Sequence, residues 1–219
     1  DGYFSSLQHP THNYAVLDTT YSVTLIVANS NGCTDTLVQG VYVNPMLDLV
    51  VEADTACIGN PTYFNDTVLN PAAVIVSYYY DFGDGYTDTV PDPVHQYALP
   101  GVYNVSVTVE DTSGCTEATS LQVQVFALPL PDFADSTSCA DNVTYFTDLT
   151  DTVSSPVASW YWDFGDGNTS TLQHPTHLYA VAGTYPVTLI VENMNGCMDS
   201  ITKPVVVFLG GKYTRAGVA

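Results

Sequence analysis

Positively charged side chains are almost missing from this sequence. Three lysine and arginine residues stand against 23 aspartate and glutamate residues, and the formal net charge is −20. All three basic residues lie at Lys203 or later. Such an acidic field repels phosphate backbones and anionic membranes, so we expect no nucleic-acid partner. No apolar run approaches the roughly 18 residues of a membrane-spanning helix, so we expect no membrane insertion in this chain.

Catalytic signatures are missing as well. The sequence has no nucleophile elbow, no Gly-rich phosphate loop and no ordered Ser-His-Asp set, so we predict no catalytic residue and no enzymatic activity. Helical periodicity is also lacking, because apolar residues alternate with period two in stretches such as GVYNVSVTVED. With 16 tyrosines and frequent valine and threonine, the composition favours an all-β fold.

An internal repeat of about 82 residues organises the chain. The stretch YYYDFGDG returns as WYWDFGDG, QHPTHNYAV returns as QHPTHLYAV, and a Gly-Cys pair follows in every copy. Roughly seven short strands in each repeat, separated by turn residues, predict β-sandwiches. The expected layout is a partial repeat with only the later strands, two full repeats and a tail, over residues 1–44, 45–127, 128–208 and 209–219.

Four elements recur in the same order in both full repeats: an aromatic-Asp-Phe-Gly-Asp-Gly strand end, His-x-Tyr, Gly-x-Tyr-x-Val and a Gly-Cys hairpin. This order resembles PKD domains, and the Gly-Cys variant is similar to repeats in Bacteroidota-type extracellular adhesins and surface proteins. The resemblance implies tandem immunoglobulin-like sandwiches in secreted or surface-exposed proteins. One departure is Tyr80, which stands where the family usually has the tryptophan seen at Trp162.

The turn after each aromatic strand carries two aspartates. Their carboxylates can cap a tight turn by accepting backbone N–H bonds. The same carboxylates are candidates for a calcium site, since hard cations take oxygen ligands, although two carboxylates are fewer than Ca²⁺ prefers. The four residues concerned are Asp81, Asp84, Asp163 and Asp166. We expect no other cofactor or metal.

One histidine recurs at the same position of every repeat, with a tyrosine two residues later. We interpret this recurrence as a packing or hydrogen-bonding role, because a zinc site would need further ligands beside each histidine. The three histidines are His12, His95 and His177.

The cysteines lie at two positions of the repeat. Each full repeat holds one near its start and one in its Gly-Cys hairpin, which in an acidic exported chain predicts one disulfide per repeat. The predicted pairs are Cys57–Cys115 and Cys139–Cys197, with the partner of Cys33 outside this sequence. Free buried thiols are one alternative, and pairing across repeats, as Cys33–Cys57 and Cys115–Cys139, is another.

Asp-Ser and Asp-Thr pairs followed by an apolar residue or threonine are unusually frequent. The pattern is similar to the O-glycosylation signal of Bacteroidota-type exported proteins. The alternative is that Asp-Thr simply suits turns and strand starts. The candidate acceptors are Thr19, Thr36, Thr55, Thr67, Thr89, Ser136, Thr152 and Ser200.

These features predict a non-enzymatic extracellular protein with a structural or adhesive role, such as a stalk, a surface adhesin or a filament subunit. The alternative is a set of spacer or carbohydrate-binding modules within a larger secreted hydrolase. Expected partners are other copies of the chain or neighbouring repeats, and surface glycans. We expect the incomplete first repeat to be completed by upstream residues or by a strand from another chain, for which the tail is one candidate.

Overall fold

A computed structural model of the chain describes residues 1–71, 73–151 and 156–210. Every regular element in these ranges is a β-strand, which confirms the predicted all-β class. No helix in this part of the chain is long and apolar enough to cross a membrane. The chain divides into two compact units. One comprises Asp1–Asp54, Tyr63–His95 and Tyr103–Val123, and the other comprises Thr55–Thr62, Gln96–Val102 and the chain from Gln124 onward.

Repeat one contributes a single antiparallel hairpin. Its strands are β1 (Thr19–Ala28) and β2 (Thr34–Val43). Val23, Leu25 and Val27 on β1 are 40%, 57% and 52% exposed. Their equivalents in the full repeats are completely buried, namely Val105, Val107 and Val109 in repeat two and Val187, Leu189 and Val191 in repeat three. The hairpin therefore presents to solvent a face that forms the core of a complete sandwich.

Repeat two forms a sandwich of two sheets. Its eight strands are β3 (Leu49–Ala53), β4 (Ala56–Cys57), β5 (Thr62–Val68), β6 (Ile75–Asp81), β7 (Thr87–Asp88), β8 (Val94–His95), β9 (Gly101–Asp111) and β10 (Thr116–Phe126). One sheet has the order β4-β10-β9-β6-β7, and the other has the order β3-β5-β8. Strand β4 pairs in parallel with the end of β10, while the pairs β3–β5, β6–β7 and β6–β9 are antiparallel.

Repeat three has the same architecture. Its strands are β11 (Phe133–Asp135), β12 (Ser138–Cys139), β13 (Val143–Asp148), β14 (Val157–Asp163), β15 (Thr169–Ser170), β16 (Thr176–Leu178), β17 (Gly183–Asn193) and β18 (Met198–Phe208). The sheet orders are β12-β18-β17-β14-β15 and β11-β13-β16. The long strands β17 and β18 pair from Gly183↔Val207 to Glu192↔Met198. This hairpin is the largest single element of the repeat.

A buried aromatic residue lies at the centre of each sandwich, as the sequence predicts. Trp162 is completely buried and contacts Phe133 and Phe146 of the opposite sheet, with ring centroids 5.2 and 5.5 Å away. Its indole Nε1 donates to the carbonyl oxygen of Leu172 at 2.9 Å, so the polar atom of the ring is satisfied. Inward residues of the long hairpin complete this core, namely Val187, Leu189, Val191, Val205 and Val207.

Tyr80 takes the central position in repeat two. It is completely buried, and its hydroxyl donates to Oδ1 of Asp66 at 2.8 Å. Burial, followed by the hydrogen bond to Asp66, raises the pKa of Tyr80 far above its ordinary value of 10.0. The hydroxyl therefore stays protonated and remains a donor. Asp66 thus accepts the hydroxyl of the tyrosine that stands where repeat three has a tryptophan.

The two sandwiches differ at one buried hydroxyl pair. In repeat three the hydroxyl oxygens of Ser138 and Thr144 lie 2.5 Å apart, and both residues are buried. In repeat two Ala56 replaces the serine. As a result, Oγ1 of Thr62 has no hydrogen-bond partner among the described residues. A buried hydroxyl without a partner carries the desolvation cost of a polar group.

We predict that Ala56→Ser raises the free energy of unfolding by about 1 kcal/mol, because the new hydroxyl restores the missing hydrogen bond. The reciprocal change Ser138→Ala is the matched control, and it should lower that free energy by about 1–3 kcal/mol because Thr144 loses its partner. Urea titration of the three proteins measures both effects. If both variants lowered the free energy of unfolding equally, the site of Ala56 would not accommodate a hydroxyl group.

Candidate functional site

The Asp-Phe-Gly-Asp-Gly turn of repeat three is stabilised by several hydrogen bonds to its two aspartates. Oδ1 of Asp163 accepts the N–H of Gly165 at 2.9 Å, and Oδ1 of Asp166 accepts the N–H of Asn168 at 3.0 Å. Gly165 has φ +76°, and a Cβ there would lie 2.8 Å from the carbonyl oxygen of Pro186. The turn therefore requires glycine at this position, both for the backbone conformation and for the close approach to β17.

A histidine from strand β16 binds the second aspartate of the turn. Nε2 of His177 donates to Oδ2 of Asp166 at 2.7 Å, and the two side chains are only 12% and 19% exposed. The imidazole stacks on Phe164 at 4.3 Å, with an interplanar angle of 1°. Tyr179 contacts the imidazole edge-on and donates its hydroxyl to the carbonyl oxygen of Phe164. The histidine thus combines packing with hydrogen bonding, in agreement with its recurrence in every repeat.

The same pair recurs in the other repeats. Oδ2 of Asp84 accepts from His95 at 2.7 Å, and this imidazole stacks on Phe82 at 4.1 Å. In repeat one Oδ2 of Asp1 accepts from His12 at 2.5 Å. The aspartate–histidine pair is therefore common to all three repeats.

Two opposing influences act on the Asp166 carboxyl. Burial is the largest, and it acts to raise the pKa. The hydrogen bonds from His177 and from Asn168 stabilise the carboxylate and together outweigh burial, so the pKa of Asp166 is lowered from its ordinary value of 3.8. The ionised form of Asp166 is therefore the form that the folded turn favours.

The aspartates proposed as calcium ligands are used by these turns. Asp81 and Asp163 accept backbone N–H bonds, and Asp84 and Asp166 accept both a backbone N–H and a histidine. Residues 1–71, 73–151 and 156–210 contain no group of three or more acidic, histidine or cysteine side chains placed to hold a metal ion. Turn capping accounts for the carboxylates, and calcium binding stays an untested prediction.

Sequence reasoning missed one recurring acceptor. Asp148 accepts the indole N–H of Trp160 at 2.7 Å and the side-chain amide of Gln173 at 3.2 Å. Its equivalent in repeat two is Asp66, the partner of Tyr80. The recurrence of aspartate two residues after the Tyr-Phe pair of β5 and β13 is the signal that could have identified both residues.

The cysteines pair differently from the prediction. The structure has one disulfide, Cys57–Cys197, with a Cα–Cα distance of 5.7 Å. Cys33, Cys115 and Cys139 are free. Both predicted pairs, Cys57–Cys115 and Cys139–Cys197, are therefore wrong, and so are the alternative pairs Cys33–Cys57 and Cys115–Cys139. The bond instead joins a residue of repeat two to a residue of repeat three, both in the second compact unit.

Strand length explains why the predicted pairs do not form. In repeat three Cys139 is the register partner of Phe208, at the end of β18, whereas Cys197 immediately precedes the start of β18. A strand of 11 residues spans about 35 Å at roughly 3.3 Å per residue. A disulfide requires Cα atoms about 4.4–6.8 Å apart, so the two cysteines of one repeat cannot bond.

The linker after repeat two brings the observed pair together. Nδ2 of Asn193 donates to the carbonyl oxygen of Ala127 at 3.0 Å, which ties the end of β10 to the hairpin of repeat three. Cys57 is the register partner of Phe126, the last residue of β10. Cys197 lies in that hairpin and is 1% exposed. The end of one repeat and the hairpin of the next therefore meet at the disulfide.

Comparison with known proteins identifies these sandwiches. A model of the PKD domain matches residues 42–125 and again residues 127–208. The chain belongs to the PKD domain family. The matched ranges cover both full repeats, so the tandem arrangement expected from the sequence is confirmed, and PKD domains are non-catalytic immunoglobulin-like modules.

Curated relatives are similar over short stretches. A microbial collagenase of Vibrio alginolyticus is 40% identical over 67 residues, which are 31% of this chain and 8% of that protein. Collagenase ColA of Bacillus cereus is 41% identical over 56 residues, 26% of this chain and 6% of that protein. The pre-pro-metalloprotease PrtV of Vibrio cholerae is 48% identical over 44 residues, which are 20% of this chain and 5% of that protein. The matches thus span 8% or less of each of these relatives.

Two solved PKD domains are also similar. The PKD1 domain of Vibrio anguillarum Epp is 25% identical, with a TM-score of 0.36, and covers 38% of this chain and 96% of its own length. The PKD1 domain of the Vibrio cholerae metalloprotease PrtV is 30% identical, with a TM-score of 0.35, and covers 37% of this chain and 98% of its own length.

Most O-glycosylation candidates of these PKD repeats lie on the surface. In three Asp-Ser/Thr pairs the aspartate accepts the N–H of the following residue, so the dipeptide also has a local structural role. Thr152 lies outside the described residues. Of the others, Thr19 and Ser136 are half-buried, whereas Thr36, Thr55, Thr67, Thr89 and Ser200 are exposed.

The lowered pKa of Asp166 predicts acid sensitivity of the repeat-three turn. A depressed carboxyl pKa contributes stability that is present above the unfolded-state value of 3.8 and is lost as pH falls through the lower folded-state value. We predict that Asp166→Asn lowers the free energy of unfolding by about 1–3 kcal/mol at neutral pH. The difference from the parent protein should shrink between about pH 5 and pH 3.

His177→Gln tests whether the two side chains act together. Urea titrations of the parent, both single variants and the double variant form a double-mutant cycle. The double variant should lose less stability than the sum of the single losses. Additive losses, or a difference between the parent and Asp166→Asn that does not change with pH, would contradict the coupling.

Proposed function

We propose that this chain is a non-enzymatic structural segment of an extracellular protein, such as a stalk, a surface adhesin or a filament subunit. The observation that carries the proposal is the Cys57–Cys197 bond between two successive PKD repeats. A bond within one domain stabilises that domain alone. A bond from one repeat to the next also transmits tension across their junction, which suits a protein that holds something at a distance from a cell.

The connections between repeats support the same role. Proline occurs beside both junctions, at Pro45, Pro129 and Pro131, where it restricts the backbone of short linkers. The disulfide closes a loop with a sequence separation of 140. In the chain-entropy model such a loop stabilises the folded state by roughly 5 kcal/mol. Disulfides persist in oxidising surroundings, which supports an extracellular location.

The surface chemistry is consistent with this location. A net charge of −20 keeps copies of the chain soluble and apart unless specific contacts join them. We propose that exposed Asp-Ser/Thr sites carry O-linked sugars, and that the partners of the chain are neighbouring repeats, other copies of the chain and surface glycans. An open cleft lined by Glu52, Asp54 and Tyr63 is one candidate surface for a glycan, because it combines carboxylates with an exposed aromatic ring.

A second candidate function comes from the relatives. The stretches shared with the microbial collagenase and with the metalloprotease PrtV favour a spacer module within a secreted protease. In this alternative the PKD repeats separate a catalytic domain from its other domains. The inter-repeat disulfide would serve the same mechanical purpose there.

Extension under force tests the structural role. The bond keeps the chain between Cys57 and Cys197, a sequence separation of 140, from extending. We predict that pulling on the two ends extends Cys197→Ser about 500 Å further than the parent, at roughly 3.6 Å per residue. Single-molecule force spectroscopy under non-reducing conditions measures this difference.

Cys115→Ser is the matched control, because Cys115 occupies the same hairpin position but forms no disulfide. This variant should extend as far as the parent. Reducing agent should bring the parent to the length of Cys197→Ser. Equal extension of parent and Cys197→Ser before reduction would rule out a load-bearing bond.

Native material tests the glycosylation proposal. We predict that protein isolated from its natural host exceeds the mass of the bare polypeptide in sugar-sized steps, with the sugars on exposed residues among Thr36, Thr55, Thr67, Thr89 and Ser200. Intact-mass measurement followed by peptide mapping gives the number and the positions. A native mass equal to that of the polypeptide would end the proposal.

A further inference from the structure

Three cysteines of this chain form no disulfide, although each occupies the same position as a bonded one. We call Cys57 and Cys139 the start cysteines, and Cys33, Cys115 and Cys197 the hairpin cysteines. The observed bond joins the start cysteine of repeat two to the hairpin cysteine of repeat three. The free residues are one start cysteine and two hairpin cysteines.

The hairpin cysteines share one backbone frame. The N–H of bonded Cys197 donates to Oδ1 of Asn193 at 3.0 Å, and its carbonyl oxygen accepts the N–H of Asn193 at 2.9 Å. Cys115 makes the same two bonds with Asp111, at 2.9 and 3.0 Å. Cys33 repeats them with Asn29, at 3.0 and 2.9 Å. The free hairpin cysteines are therefore held as the bonded one is held.

The start cysteines also share a frame. Bonded Cys57 is the register partner of Phe126, and the next residue donates its N–H to the carbonyl oxygen of Phe126 at 2.8 Å. Free Cys139 is the register partner of Phe208, and the N–H of Ala140 donates to the carbonyl oxygen of Phe208 at 2.8 Å. Cys139 thus lies at the end of β18 as Cys57 lies at the end of β10.

The region around Cys115 adds an independent observation. Asn44 follows β2 and is the repeat-one equivalent of Phe126 and Phe208, the register partners of the two start cysteines. Nδ2 of Asn44 lies 3.7 Å from Sγ of Cys115. A start cysteine that is the register partner of Asn44 would therefore lie next to the thiol of Cys115, as Cys57 lies next to Cys197.

We propose that every start cysteine of this repeat type bonds to the hairpin cysteine of the repeat that follows it. Cys139 then forms a disulfide with the hairpin cysteine of a PKD repeat placed after β18. Cys115 forms a disulfide with the start cysteine of the opening strands that complete repeat one. Cys33 bonds to the start cysteine of a repeat before repeat one. In each case the partner belongs to another PKD repeat of the Gly-Cys type on the same polypeptide.

The chemistry is thiol–disulfide exchange with a small-molecule disulfide such as oxidised glutathione. The thiolate of the start cysteine attacks one sulfur of the oxidant, forms a mixed disulfide and releases one glutathione thiolate. The thiolate of the hairpin cysteine then attacks the start-cysteine sulfur and releases the second glutathione thiolate. The two cysteines lose two protons and two electrons, and the oxidant is reduced to two thiols.

The first experiment extends the chain. A second copy of residues 128–208 is joined after Leu209, which keeps the repeat spacing, and the protein is refolded in a glutathione redox buffer. Non-reducing peptide mapping should show Cys57–Cys197 and a second link from Cys139 to the added hairpin cysteine. Alkylation of Cys139, complete in the unextended chain, should fall to background.

The control carries serine in place of the added hairpin cysteine, and in it Cys139 should again be fully alkylated. The Cys57–Cys197 link in the same molecules reports that the repeats have folded. An extended chain that contains this link but leaves Cys139 free, or bonded only to glutathione, would overturn the proposal. A link from Cys139 to a second molecule would also overturn it, because the partner would then not be the next repeat of the same chain.

The second experiment tests Cys115 from the other end. Residues 128–165 are joined before Asp1, which restores the opening strands of repeat one and supplies a start cysteine. We expect a link from this added cysteine to Cys115 and none to Cys33. The inference rests on the proposed extracellular role only for its oxidising surroundings, and both experiments supply the oxidant. A negative result would therefore count against the pairing rule and leave the proposed function standing.

Discussion

The long antiparallel hairpin is the constraint on which the rest of each repeat depends. In repeat three its strands β17 and β18 each have 11 residues, and one face of the hairpin carries valine and leucine side chains around Trp162. The burial of this face holds the two sheets together. The length of the strands also places the ends of the repeat about 35 Å apart. The hydrogen bond from Asn193 to Ala127 and the Cys57–Cys197 bond both lie at the hairpin end of repeat three.

Several acidic residues of the PKD repeats accept hydrogen bonds that stabilise the fold, although the chain has a large negative charge. Asp163 and Asp166 accept backbone N–H groups of a turn that glycine alone can form, and Asp166 also binds His177. Asp148 and Asp66 accept donors from the aromatic rings of the sandwich. The low number of lysines and arginines makes such bonds to backbone, histidine and aromatic donors the main means of satisfying these carboxylates. An exception is Asp132, which binds Lys203.

The disulfide between successive repeats is the feature that relates the fold to the proposed role. Each PKD sandwich has a filled core, and the stretches shared with the curated relatives make up 8% or less of those proteins. The Cys57–Cys197 bond adds a connection that runs from one module to the next. A stalk and a spacer in a secreted protease would both benefit from such a connection, because the bond keeps the enclosed residues from extending under load.

Local features of this chain could be predicted from the sequence. The repeat, the period-two strands, the buried Trp162 and Tyr80, and the turn-capping role of Asp163 and Asp166 all follow from the spacing and chemistry of nearby residues. The partners of those residues were harder to predict, because Asp66 and Asp148 reach Tyr80 and Trp160 from another strand. The cysteine pairing could not be predicted at all. Which cysteines bond depends on which strand end faces the next repeat, and this is decided by the length of β10 and β18 and by the contact of Asn193 with the linker. The sequence by itself therefore determined the fold of each repeat, whereas only the tertiary structure decided how one repeat is joined to the next.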